Sequence, residues 1–227
     1  MKLLKYPKRE ELIKHAASFI TDEIEFLANQ QEKIFIGLVG GTSTGKLYEE
    51  LTKKNIKSWQ KCHFFILDER YAPITSNESN YKTIKEKLLE PLLNKNLIQN
   101  KHVHRIKTEL SGEKAAFDYS KKFEEFAGRI DIAILSSGED GHVAGIFPEK
   151  EYTDKQAYEY FEDSPKLPKK RISIVPGALA MTKTAFVLFL GKEKKQALKS
   201  YLNNTEKTIP QQILDEIENT IIVTDQK

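Results

Sequence analysis

The chain reads as an α/β protein built on a mainly parallel sheet with helices on both faces, and three observations carry that reading. Strand-like apolar segments alternate with segments of helical periodicity from residue 8 to residue 223. The central strand segments are continuous apolar runs, as a sheet covered on both faces requires. The polar stretches with candidate chemistry begin where such a run ends. In open α/β sheets that edge is where ligands bind.

Size and composition bound the rest. At 227 residues, a single domain over residues 1–227 is expected, and a chain of this length buries about 70% of its unfolded surface without staples. The one cysteine, Cys62, permits no internal disulfide and suits a reducing compartment. No apolar run approaches the roughly 20 residues that span a bilayer. Residues 1–7 do not read as a signal peptide, so a cytoplasmic protein with no membrane partner is expected. The 36 basic and 33 acidic side chains are interspersed and leave a net charge of +3. That pattern favours solubility over nucleic-acid binding, which needs clustered basicity. Lys166, Lys169, Lys170 and Arg171 form the main basic cluster, read as a solvated loop. There are no repeats or low-complexity tracts.

Residues 8–29 read as an amphipathic helix, with Leu12, Ala16, Phe19, Ile20, Ile24 and Leu27 near helical spacing. Residues 33–39 form a strand that runs into Gly40, Gly41, Thr42, Ser43 and Thr44, followed by a helix through Leu51. Strand, glycine-rich turn and helix is an arrangement that cradles phosphate on free backbone N–H groups and the positive helix end. Residues 40–46 also fit G-x-x-x-x-G-K, the front of a nucleotide-binding P-loop. Leu47, however, stands where a Mg²⁺-ligating hydroxyl is required. A P-loop nucleotidase is therefore a remote alternative.

The next strand, 63–67, ends in Asp68, Glu69 and Arg70. A loop over 71–81 leads to Ser79, placed to cap a helix through Leu93. Residues 102–105 form a short strand whose two histidines read as a surface strand face and not as a metal site. A helix over 111–127 buries Ala116, Tyr119, Phe123 and Phe126. Residues 148–168 read as a surface excursion. Strands at 171–175, 184–190 and 220–223 close the chain, with a helical turn at 176–181 and a helix through Leu198 that carries Lys194 near its start.

The most informative stretch is 131–148. Ile132, Ala133, Ile134 and Leu135 form a buried-strand run that stops at Ser136, Ser137, Gly138, Glu139, Asp140, Gly141 and His142. Gly138 and Gly141 can take positive φ and let the backbone approach a ligand. Asp140 and His142 are thus delivered at a strand's carboxyl end. The carboxylate can orient the imidazole and leave His142 poised to act as a general base. The plainer reading of this segment is a polar turn with a helix-capping histidine.

Together these segments resemble the 6-phosphogluconolactonase family, within the glucosamine-6-phosphate isomerase/6-phosphogluconolactonase superfamily. The resemblance rests on Gly40-Gly-Thr-Ser, on Asp68-Glu-Arg with Pro73 and Ser79-Asn-Tyr, on Gly138-Glu-Asp-Gly-His with Phe147 and Pro148, and on Arg171-Ile-Ser-Ile with Lys194. It covers roughly residues 34–200. It implies a three-layer α/β/α sandwich with a Rossmann-like central sheet (the NagB/RpiA/CoA-transferase-like fold). It also implies hydrolysis of 6-phospho-D-glucono-1,5-lactone to 6-phosphogluconate in the pentose phosphate pathway. By that resemblance His142 activates water, Asp140 supports it, and Gly40, Gly41, Thr42, Asp68, Arg70, Arg171 and Lys194 bind the sugar phosphate. No metal or other cofactor is implied, and the expected state is a monomer or small homo-oligomer.

The sibling glucosamine-6-phosphate deaminases are similar to this chain but place a Glu just before the motif's closing proline, where Phe147 stands here. The chain also departs from the lactonase pattern at Ser136, Ser137, Val143 and Gly145, where the missing hydroxyls at 143 and 145 are expected to weaken support for His142. A deaminase-like enzyme and a non-catalytic sugar-phosphate-binding paralogue are the alternatives.

Overall fold

The computed structural model describes residues 1–203 and 207–226. In chain order its strands are β1 (Lys2–Lys5), β2 (Ile34–Leu38), β3 (Cys62–Ile66), β4 (Asp68–Arg70), β5 (Val103–His104), β6 (Ile132–Ser136), β7 (Tyr158–Phe161), β8 (Arg171–Ile174), β9 (Thr184–Phe189) and β10 (Asn219–Thr224). Seven of them form one sheet, ordered β1-β10-β9-β6-β2-β3-β5, with every pairing parallel. The central strands are apolar because both faces are covered: Ile132, Ala133, Ile134 and Leu135 on β6 are each at most 1% exposed. Burying an aliphatic side chain of this size stabilises the fold by roughly 1.5–3 kcal/mol.

The helices are α1 (Arg9–Ala28), α2 (Thr42–Leu51), α3 (Asn80–Ile84), α4 (Glu90–Asn94), α5 (Gly112–Phe126), α6 (Pro176–Ala180), α7 (Lys195–Asn203) and α8 (Ile209–Glu216). A π-helical turn, Lys85–Leu89, joins α3 to α4, so the helix expected through Leu93 is continuous but irregular. The buried stripe of α1 is Leu12, Ile13, Ala16, Ala17, Ile20, Ile24 and Leu27, whereas Phe19 is 49% exposed. Phe126 likewise turns outward from the α5 stripe of Ala116, Tyr119 and Phe123.

A second, antiparallel sheet, ordered β4-β8-β7, corrects the expectation that residues 171–175 extend the parallel sheet. Leu67 is the junction. Its N–H donates to Leu38 O in the large sheet, and its carbonyl accepts from Ile174 N in the small one. The charged triplet at 68–70 thereby becomes a strand through its partner. The excursion at 148–168 contains the third strand, with Tyr158 fully buried against α5. The small sheet brings Asp68, Arg70 and Arg171 together, with Arg70 and Arg171 directly paired in register.

Candidate active site

Within the large sheet the chain moves outward in one direction through β2, β3 and β5, and in the other through β6, β9 and β10. The reversal falls between the neighbouring strands β2 and β6. Ligands sit at such a switch point, outside the carboxyl ends of the strands. β2 is followed here by Gly40, Gly41 and the first residues of α2, and β6 by the loop at 137–142. One cavity is lined by residues of both, with Asp68, Arg70, Asn80, Ala144, Lys166, Arg171 and Lys194 completing its wall. Every residue expected from sequence to bind or react lines it except Asp140, which sits directly behind His142.

His142 Nδ1 lies 2.5 Å from Asp140 Oδ1. An ionised carboxylate can only accept, so Nδ1 carries a proton, and in the neutral imidazole Nε2 then holds the lone pair. Burial alone would raise the Asp140 carboxyl. The hydrogen bond and charge of His142, joined by the Lys166 ammonium at 3.4 Å, outweigh it and hold the group well below the usual carboxylate range. The ring of His142 packs on that of Phe147 with centroids 4.7 Å apart, and Phe147 also lies under the Arg171 guanidinium at 5.6 Å. The segment after His142 forms turns and an isolated bridge, so the helix-capping reading does not hold.

The two glycines of this loop have different roles. Gly141 has a φ of +86° and makes the turn. Gly138 is not in the left-handed region. It is small because a Cβ there would meet His142 Nδ1 at 2.1 Å and Asp140 Oδ1 at 2.4 Å.

On the β2 side, Gly41 takes a φ of +119° as the residue before α2, a conformation that L side chains rarely adopt. The first turn of α2 carries no acidic residue, so its free N–H groups and positive end face the cavity uncompensated. Thr42 and Ser43 line the cavity. Thr44 does not: its hydroxyl donates to Val39 O and Gly41 O and is fully buried. Lys46 lines a separate groove with Arg9 and Glu49, away from this cavity. The P-loop reading thus loses the lysine that must reach the phosphates.

The charged triplet at 68–70 divides its tasks. Glu69 is a clamp for the start of α3, accepting from the backbone N–H groups of Arg70, Asn80 and Tyr81 and from the Ser79 hydroxyl. Ser79 Oγ in turn accepts from Lys82 N and caps α3 as expected. Asp68 accepts from Asn80 Nδ2 at 2.9 Å and stands 4.0 Å from Arg171 Nη1. Arg70 donates through Nη1 to Glu78 O, while its buried Nε has no protein partner among the described residues. Arg171, 4% exposed, spends Nε on Pro168 O and Nη2 on Leu167 O. Burial disfavours its charge, and Asp68 offsets that in part.

Three contributors carry no sequence signal for the part they play. Lys166, expected in a solvated loop, lines the cavity beside Asp140. Asn80, expected only at a helix start, is 2% exposed and ties α3 to Asp68. Ser173 supplies a hydroxyl that accepts from Gly145 N at 3.0 Å, while Val143 is wholly buried. The His142–Asp140 contact is present with Val143 and Gly145 in these positions. No group of three or more His, Cys, Asp or Glu side chains that could hold a metal occurs among the described residues, and none of the described helices is long and apolar enough to cross a membrane.

Comparison with known proteins shows the family. The family model described as glucosamine-6-phosphate isomerases/6-phosphogluconolactonase matches residues 7–223. The 6-phosphogluconolactonase of Borreliella burgdorferi is 34% identical over 85% of this chain and 83% of its own length. That of Thermotoga maritima is 35% identical over 82% of each chain. The crystal structure of the Thermotoga maritima 6-phosphogluconolactonase superposes with a TM-score of 0.87 at 29% identity, covering 98% of this chain and 99% of that one. The chain therefore belongs to the glucosamine-6-phosphate isomerase/6-phosphogluconolactonase family.

Proposed function

We propose that this protein hydrolyses 6-phospho-D-glucono-1,5-lactone to 6-phosphogluconate, the lactone-opening step of the oxidative pentose phosphate pathway, and that it does so in the cytoplasm as one domain. The observation that carries the proposal is the His142–Asp140 pair, whose Nε2 has no hydrogen-bond partner among the described residues, in a cavity that Gly40–Thr42 also lines and that is rich in Arg and Lys.

His142 Nε2 takes a proton from water as the water oxygen bonds to the lactone C1. The carbonyl electrons move onto its oxygen, and collapse breaks the bond from C1 to the ring oxygen. His142 returns the proton to that oxygen, which becomes the C5 hydroxyl. Positioned acid–base catalysis of this kind is worth about 10²–10⁴-fold. The pull of Asp140 on Nδ1 fixes the tautomer and steadies the imidazolium that forms. A phosphate dianion suits the backbone donors of Gly40, Gly41 and Thr42 with the charges of Arg70, Arg171 and Lys194. Asp68 suits a sugar hydroxyl and helps to hold Arg171.

Ring opening of glucosamine 6-phosphate, the sibling chemistry, is less well served. Phe147 is 1% exposed and packs on His142 where a carboxylate is needed. The test is hydrolysis of freshly generated 6-phosphogluconolactone, read as NADPH from added 6-phosphogluconate dehydrogenase and corrected for spontaneous opening. Turnover unaffected by EDTA supports the reading, and none above background overturns it. Sedimentation velocity checks the accompanying expectation of a monomer or small homo-oligomer.

A further inference from the structure

Four cations face the cavity, and they are not equivalent. Arg171 is largely committed, since two of its nitrogens hold the carbonyls of Leu167 and Pro168. Those carbonyls belong to the loop that carries Lys166. The same loop is fastened at its base by Ser164, fully buried, whose N–H donates to Lys169 O and whose hydroxyl accepts from Lys166 N. A buried guanidinium and a buried serine thus brace a short surface loop. What the loop presents to the cavity is one long cation, which is more than a solvated lysine needs.

The direction of that cation is informative. Lys166 Nζ is 3.4 Å from the Asp140 oxygen that also receives His142 Nδ1 at 2.5 Å. Its ammonium therefore sits at the His142 end of the cavity. An ammonium has three N–H donors, and the Asp140 contact uses at most one. We infer that Lys166 is a further catalytic residue, whose ammonium donates to the lactone carbonyl oxygen and stabilises the negative charge that develops there when water attacks. Arg171 is then chiefly a positioning residue that holds the Lys166 loop. The inference rests on the lactonase reading. In balance, the C1 carbonyl electron pair moves to oxygen beside Lys166 as the water proton moves to His142. When the bond to the ring oxygen breaks, the electron pair re-forms the carbonyl and His142 passes its proton to the ring oxygen, so Lys166 is neither consumed nor required to give up a proton.

The experiment compares wild type, Lys166→Met and Lys166→Arg on 6-phosphogluconolactone and on unphosphorylated glucono-1,5-lactone, with inorganic phosphate as a competitive inhibitor. Thermal melting serves as a fold check. Loss of a preorganised oxyanion donor costs about 10²–10³-fold in kcat. The expected result is a loss of that order for Lys166→Met on both lactones, an unchanged inhibition constant for phosphate, and partial recovery in Lys166→Arg. A Lys166→Met enzyme with near wild-type kcat overturns the inference. So does a loss confined to the phosphorylated lactone with weakened phosphate inhibition, which makes Lys166 a phosphate ligand. A wild type inactive on both lactones overturns the lactonase reading itself, and this inference with it.

Discussion

Gly138 lies directly beneath His142: a β-carbon on Gly138 would stand 2.1 Å from the imidazole Nδ1 and 2.4 Å from Asp140 Oδ1. The His142–Asp140 pair is therefore seated on a surface that only hydrogen can leave open. Gly138→Ala is expected to push the imidazole and carboxylate off their present positions while the buried β6 strand beneath stays packed. Misplacement of reacting groups by about 1 Å costs on the order of 10²-fold. Steady-state kinetics should show that loss mainly in kcat, with a melting temperature close to wild type. A normal kcat in the Gly138→Ala variant would show that the pair tolerates displacement.

Lys194 and Lys46 provide a paired test of the anion site. Lys194 lines the cavity and Lys46 does not. Hydrogen bonds to charged groups contribute about 1.5–3 kcal/mol, roughly 10–100-fold in affinity. Lys194→Met should raise KM for the phosphorylated lactone by about that factor and leave kcat near wild type. Lys46→Met should change neither, and calorimetric titration of wild type with Mg²⁺-ATP should be flat. Heat from ATP that is lost in Lys46→Met would restore the nucleotide reading.

Much of this architecture was legible in the sequence because the central strands carry continuous apolar runs, and such runs survive without knowledge of their partners. The site motifs were legible for a related reason, since each interrupts one of those runs. What was missed depends on long-range pairing. Asp68, Glu69 and Arg70 have no strand signature of their own and become β4 only through Ser173, Ile172 and Arg171. Tyr158 to Phe161 are buried only at the two ends of the strand, so no period-2 pattern marks them as one. The edge strand β1 offers only Leu3 and Leu4 between lysines, and its pairing with β10 spans the whole chain. The buried role of Ser164 beneath Lys166 had no local signal at all.

Gly145 and Ser173 test the idea that a missing hydroxyl weakens the site. The Gly145 N–H donates to Ser173 Oγ, and a β-carbon on Gly145 would meet the Ser173 β-carbon at 2.5 Å. A side chain at 145 and the Ser173 side chain thus compete for the same space. Gly145→Ser should destabilise by about 1–3 kcal/mol through overpacking. Adding Ser173→Gly should recover part of that. Urea denaturation of the two single variants and the double variant gives the coupling, and strict additivity would mean that the two positions do not compete for space.

The last prediction concerns acid stability and three histidines, His63, His102 and His104, which are buried and do not form the exposed strand face expected for residues 102–105. His63 Nδ1 and His104 Nε2 are 3.1 Å apart, and the two rings stack with centroids 5.4 Å apart. Burial, then the charges of His102, Lys33 and Lys101, pulls His63 from 6.5 down to about 4. Burial, then Lys122, His63, His102 and Lys33, pulls His104 from 6.5 down to about 3. Both folded-state values lie below the unfolded ones, so the unfolded chain binds more protons throughout the interval between them. Stability rises with pH wherever that holds. The contribution of this pair is therefore intact above 6.5, erodes as pH falls towards 4 and 3, and levels off below. A His63→Phe/His104→Phe variant removes both titrations while keeping aromatic volume beside Phe65 and Phe126. Its urea midpoint should fall less than that of wild type between about pH 7.5 and about pH 5. Parallel falls in the two proteins would assign the acid sensitivity to other groups.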